Sequence, residues 1–179
     1  MSASKVMNKL ARWFLSITAA LVILVDQVSK YIIVNSLERF QEWAPIPSLQ
    51  RFFAITYITN TGVAFGLFPD SSILFIIIAV VVIAIIFVYH RQLAEQQWLL
   101  RISLGLQLGG AIGNLLDRLT RGYVVDFIHF KFWPVFNVAD SCVVVGAALM
   151  AYFLLKEGQV EEAKETSAEG EEENVSVTS

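Results

Sequence analysis

Ile73 to Tyr89 reads ILFIIIAVVVIAIIFVY, an apolar run closed only by its final tyrosine. A helix of ~20 such residues crosses the ~30 Å of hydrocarbon in a bilayer. Three other stretches approach that length. Ser16 to Val34 is interrupted by Asp26 and Lys30, Trp98 to Leu116 holds Arg101 and Gln107, and Val138 to Leu155 holds Asp140 near its start. The whole chain is 56% hydrophobic and 16% charged, with mean hydropathy +0.61. A soluble domain of 179 residues would carry more charge. The composition therefore predicts a membrane all-α bundle with spans at about 14–34, 73–89, 98–116 and 138–155. The first span is read as uncleaved. Lys5, Lys9 and Arg12 resemble a signal-peptide n-region, but the apolar stretch is too long and no small-residue cleavage site follows.

The formal charge of −3 hides a division. From Lys156 onward two Lys and eight Glu give −6, whereas residues 1–155 carry eleven Lys and Arg against eight Asp and Glu, a net +3. Low hydrophobicity and repeated charge predict that 156–179 is a disordered acidic tail. Residues 1–155 then form a single four-span domain. Basic residues before the first span, between the second and third, and after the fourth put both termini in the cytoplasm. The outer connections are then Asn35 to Ser72 and Asp117 to Asn137.

The first outer connection is not plain loop. Phe52, Ile55, Tyr57 and Ile58 form a β-prone stretch, Asn60-Thr61-Gly62 is a turn signal, and Val63 to Phe68 follows. A small extracytoplasmic β-sheet is expected at about 36–70, with Trp43 and the phenylalanines at headgroup level. Gly105, Gly109 and Gly113 recur every four residues, so one face of the third span lets another helix come close.

Polar residues inside spans need a reason, because each costs a few kcal/mol and usually faces the bundle interior or water. Asp26 and Lys30 are four apart and share a helix face. Asn114, Asp117 and Arg118 cluster at the outer end of the third span. Asp126 stands in the apolar run Val124-Val125-Asp126-Phe127-Ile128, where a lone carboxylate must be satisfied. Asp140 follows Asn137 and Ala139 just inside the fourth span; a first-turn helix acid would be its structural role. Together, Asp126 and Asp140 are two carboxylates at one low-dielectric boundary. One would hold a proton while the other acts as a base.

Other chemistries find less support. His90 and His129 fall on opposite sides of the membrane, and Cys142 is the only cysteine, so neither a histidine nor a thiolate metal site is expected. HExxH and a Ser-His-Asp arrangement are missing. A proton-coupled carrier would want acids strung across the membrane and repeated broken helices. A metal-dependent headgroup transferase would place Mg²⁺ on Asp117, Asp126 and Asp140. A purely structural subunit would tolerate loss of the acids.

The ordered motifs resemble the lipoprotein signal peptidase family, signal peptidase II. They are Asp26-Gln27-Val28-Ser29-Lys30, Asn60-Thr61-Gly62-Val63-Ala64-Phe65, Gly109 through Arg118, Val124-Val125-Asp126-Phe127, and Phe136-Asn137-Val138-Ala139-Asp140-Ser141. The resemblance runs from about Val25 to Ser141. It implies an aspartic endopeptidase of the bacterial cytoplasmic membrane that works without metal; no cofactor is expected, and a monomer is expected. It would cut diacylglyceryl-modified prolipoproteins before the lipidated cysteine, near the outer face, among membrane lipid and with no nucleic-acid partner. It makes Asp126 and Asp140 the catalytic pair, with Asn60, Gly62, Asn114, Arg118, Asn137 and Ala139 lining or bracing the site. Asp26 with Lys30, and Asp117 with Arg118, are expected to hold the polar site together.

Overall fold

In a computed structural model, residues 3–62, 71–93 and 97–177 are described. Four helices, α1 (Ala3–Ser36), α2 (Ser71–Gln92), α3 (Trp98–Arg121) and α4 (Val138–Val177), carry membrane-length apolar segments at Trp13–Ser36, Ser72–Gln92, Trp98–Arg121 and Val138–Lys156. Helices suit this setting because every backbone polar group bonds within its own segment. The packing is that of a membrane protein. Leu21 (56%), Ile77 (55%) and Val144 (67%) are exposed, while Asp26, Lys30 and Asp117 are fully buried.

α3 is the central helix and packs on α1, α4 and α2. Small residues allow this. A Cβ on Gly109 would fall 2.8 Å from the Ala19 carbonyl oxygen of α1, and one on Gly105 would fall 2.8 Å from the Leu15 carbonyl oxygen. Gly110 does the same for α4, where a Cβ would lie 2.4 Å from the Ala139 carbonyl oxygen. The stripe at 105 and 109 is therefore the α1 seat, and Gly110 opens a second seat. Gly110→Ala should force α3 and α4 apart beside Asp140 and cost about 1–3 kcal/mol. Thermal unfolding in detergent reads this out; an unchanged midpoint would mean the helices spread freely.

The sheet has three antiparallel strands in the order β1-β2-β3, with β1 Glu42–Trp43, β2 Phe53–Asn60 and β3 Val124–Phe130. The sequence reading places the sheet within about 36–70. The third strand comes instead from the second connection, where β-branched and aromatic residues flank Asp126. Local pattern could not show this pairing, because the partner strand lies far off in sequence. Val63 to Phe68 lie outside the described residues. An extra residue in β2 between Ile55 and Ile58 breaks the register and sets Ile58 opposite Asp126 and Asn60 opposite Val124.

α4 departs from expectation at its far end. Residues beyond Lys156, read from sequence as disordered, continue the helix to Val177. Glu, Ala and Lys are good helix formers, and a formed helix extends without a new nucleus.

Candidate active site

The sheet end of the bundle gathers the acids. Asp126 is 2% exposed on β3, and each of its oxygens accepts one side-chain amide: Asn60 Nδ2 at 2.9 Å and Asn137 Nδ2 at 2.7 Å. Asn60 is aimed by a local turn, because the Gly62 N–H donates to its Oδ1 at 2.8 Å. Gly62 has φ +82°, a left-handed conformation that suits glycine. Burial first, and then the charge of Asp140, push the Asp126 carboxyl up to about 6, against the lowering effect of its amide partners.

Asp140 opens α4. The Asp140 N–H donates to Asn137 Oδ1 at 2.9 Å, and the Asn137 N–H donates back to Asp140 Oδ2 at 3.3 Å. This is a reciprocal capping box built from Asn and Asp. The other oxygen, Oδ1, accepts Asn114 Nδ2 at 2.7 Å. Asp140 therefore fills the structural role of a first-turn acid and also faces the Asp126 cluster. Asn137, fully buried, joins the two carboxylates: its backbone and Oδ1 serve Asp140 while its Nδ2 serves Asp126.

Behind these lies an ion cluster. Lys30 Nζ bonds Asp26 Oδ2 at 2.8 Å, Asp117 Oδ2 at 2.9 Å and Asn114 Oδ1 at 2.9 Å. Asp117 also pairs with Arg121. The expected Asp117–Arg118 pair does not form. Consecutive helical residues do not face one another, and i+4 brings Arg121 to Asp117 instead. Arg118 turns to the other side, where Nη1 donates to the Asn114 carbonyl at 3.4 Å and the guanidinium lies 4.9 Å from the Phe75 ring centroid. Its Nε is buried without a hydrogen-bond partner among the described residues.

Ala139 is fully buried, and its N–H donates to Asp26 Oδ1 at 3.0 Å. Gln27 was not singled out from sequence as a site residue. Its Nε2 lies 3.1 Å from Asp26 Oδ2, 3.2 Å from Asp117 Oδ1 and 3.2 Å from the Gly113 carbonyl. Arg121 was missed too, although its i+4 spacing from Asp117 was the available signal.

A cavity of about 460 Å³ opens between α2, α3 and α4 beside this cluster. Asn60, Gly62, Asn114, Arg118 and Asp140 line its polar part, and α2 and α4 side chains such as Ile78, Val82 and Val144 line the rest. Among the described residues, no three His, Cys, Asp or Glu side chains are grouped to hold a metal ion.

These features define a multi-pass membrane protein with a buried acidic site at one end of an apolar cleft. The model of the signal peptidase (SPase) II family matches residues 18–156, and the chain belongs to that family of proteases. It is 42% identical over 144 residues to the lipoprotein signal peptidase of Halothermothrix orenii, covering 80% of this chain and 97% of that protein. It is 45% identical over 137 residues to that of Moorella thermoacetica, covering 76% and 89%. A solved bacterial membrane enzyme, determined by the in meso method, superimposes with TM-score 0.73 at 31% identity, covering 80% of this chain and 88% of that one.

Proposed function

We propose that this protein is an aspartic endopeptidase that removes signal peptides from diacylglyceryl-modified prolipoproteins, cutting before the lipidated cysteine. The observation that carries the reading is Asn137, whose one side chain and backbone hold Asp126 and Asp140 in a common site. Membership of the signal peptidase II family and the names of the relatives support the substrate class.

Asp126, with its proton held more tightly than an ordinary carboxyl, donates to the scissile carbonyl oxygen. Asp140 takes a proton from water, whose oxygen attacks the carbonyl carbon. The C–N bond then breaks, the proton on Asp140 passes to the leaving amine, and Asp126 recovers its own from the collapsing hydroxyl. Asn60, Asn114 and Asn137 hold both acids in register, and Gly62 and Ala139 fix the backbone around them. Arg118, which lines the cleft, offers its guanidinium to a substrate oxygen. The substrate arrives through the bilayer, held by its signal helix and acyl chains, so the cleft beside α2 and α4 is its route. The chain works as a monomer in the bacterial cytoplasmic membrane, with both termini in the cytoplasm and the acids near the outer face. No metal or cofactor takes part.

The direct test is cleavage of a diacylglyceryl-modified prolipoprotein by purified protein in excess chelator, beside Asp126→Asn and Asp140→Asn. Activity lost to chelator would return the reaction to a metal.

The same chemistry fixes a pH profile. The mechanism needs one proton shared by two acids, and Asp126 keeps its proton only up to about 6 in the free enzyme. Lys30 pulls that value down and Asp140 pushes it up, so the apparent value belongs to the pair. kcat/KM, which reports the free enzyme, should fall as pH rises through the upper apparent pKa, near 6. A kcat/KM that stays flat from about pH 5 to 9 would remove the shared-proton mechanism.

A further inference from the structure

We infer that the buried Asp26–Lys30–Asp117 cluster is a positioning clamp that fixes the spacing of the two catalytic aspartates, an inference that rests on the dyad reading above. Each carboxylate of the cluster has a second task. Asp26 Oδ1 accepts the backbone N–H of Ala139 at 3.0 Å, one residue before Asp140. Asp117 Oδ2 accepts the backbone N–H of Val125 at 3.2 Å, one residue before Asp126. One ammonium, that of Lys30, bridges the two carboxylates at 2.8 and 2.9 Å. Its remaining bond goes to Asn114 Oδ1, and Asn114 Nδ2 holds Asp140. The start of α4 and the start of β3 are thus tied, through the two carboxylates, to a single nitrogen on α1.

Backbone anchoring of this kind controls where a side chain starts rather than which rotamer it takes. Bonds from a carboxylate to an amide N–H are strong and directional. Gln27 adds a second tie between Asp26, Asp117 and the Gly113 carbonyl, parallel to Lys30. Gly113 lets this happen, because a Cβ there would sit 2.6 Å from Asp26 Oδ2. Stability alone gives little reason to bury such a cluster. A buried ion pair is often no more stable than apolar packing of the same volume. The two N–H contacts give the charges a task that apolar side chains cannot perform.

The test separates positioning from folding. Asp26→Asn, Asp117→Asn and Gln27→Leu are purified in detergent, and kcat and KM for a diacylglyceryl-modified prolipoprotein are measured per folded molecule, with Asp126→Asn alongside. An Asn at either position can still accept the amide N–H but loses the charged link to Lys30. A clamp predicts that kcat falls about 10²-fold in each Asn variant with KM within about threefold, because small displacements at the reacting centre are costly. Gln27→Leu keeps all the charges and the fold. It should lower kcat about fivefold, the loss expected when one of two parallel ties is removed. If the Asn variants fail to fold, Gln27→Leu alone decides. Unchanged kcat per folded molecule in the variants that fold, with Asp126→Asn inactive, would overturn the clamp and leave the dyad standing. An active Asp126→Asn would overturn both.

Discussion

Asp126→Asn and Asp140→Asn should each lower turnover at least ~10³-fold while leaving the protein folded, as expected for loss of one member of an acid–base unit. The changes are nearly isosteric, so the loss reports chemistry. At position 126 an amide retains one acceptor and brings one NH₂ toward a donor already present on Asn60 or Asn137. It has no proton to give the carbonyl oxygen. At position 140 an amide keeps the helix cap in part, because the Asp140 N–H still reaches Asn137 Oδ1. It has no basic oxygen for water. The two losses should not add in the double variant, since either one disables the same step. The readout is gel-shift cleavage in excess chelator, with folded protein confirmed by thermal unfolding. Near-normal turnover by either variant would end the dyad assignment.

The second large effect is on stability. Lys30→Met should destabilise the protein by about 3–5 kcal/mol, the range found when one partner of a buried ion pair is removed. Methionine fills most of the volume, so packing loss is small. Lys30 and both carboxylates it bridges are fully buried. Asp117 keeps Arg121, whereas Asp26 loses its only charged partner among the described residues and keeps the Ala139 and Gln27 donors. An uncompensated carboxylate is left among α1, α3 and α4, where water cannot replace the ammonium. A thermal midpoint within a degree or two of wild type would mean that Asp26 is relieved in some other way. Asp26→Asn combined with Lys30→Met removes both charges and should recover much of the loss.

The helices were legible because their signal is local. A run such as Ile73 to Tyr89 can satisfy its backbone in lipid only as a helix, whatever surrounds it. The glycine spacing of α3 likewise announced a close helix neighbour, and the structure identifies it as α1. The individual polar residues were legible too, since an acid in an apolar run demands a partner. The choice of partner was not. The sequence sets Asp117 beside Arg118, and the structure gives it Lys30 and Arg121.

Sequence by itself determined the class of protein, its four apolar segments and which polar residues had to be satisfied. Hydrocarbon as a solvent allows few alternatives, and each of these properties is written in a window of some twenty residues. Only the tertiary structure decided that β3 joins β2, that Asn137 ties Asp126 to Asp140, and that two carboxylates bridged by one lysine on α1 accept the backbone N–H groups just before both acids. Those contacts join segments far apart in the chain. Their geometry is set by how closely α1, α3 and α4 pack, and a linear pattern carries no measure of that distance.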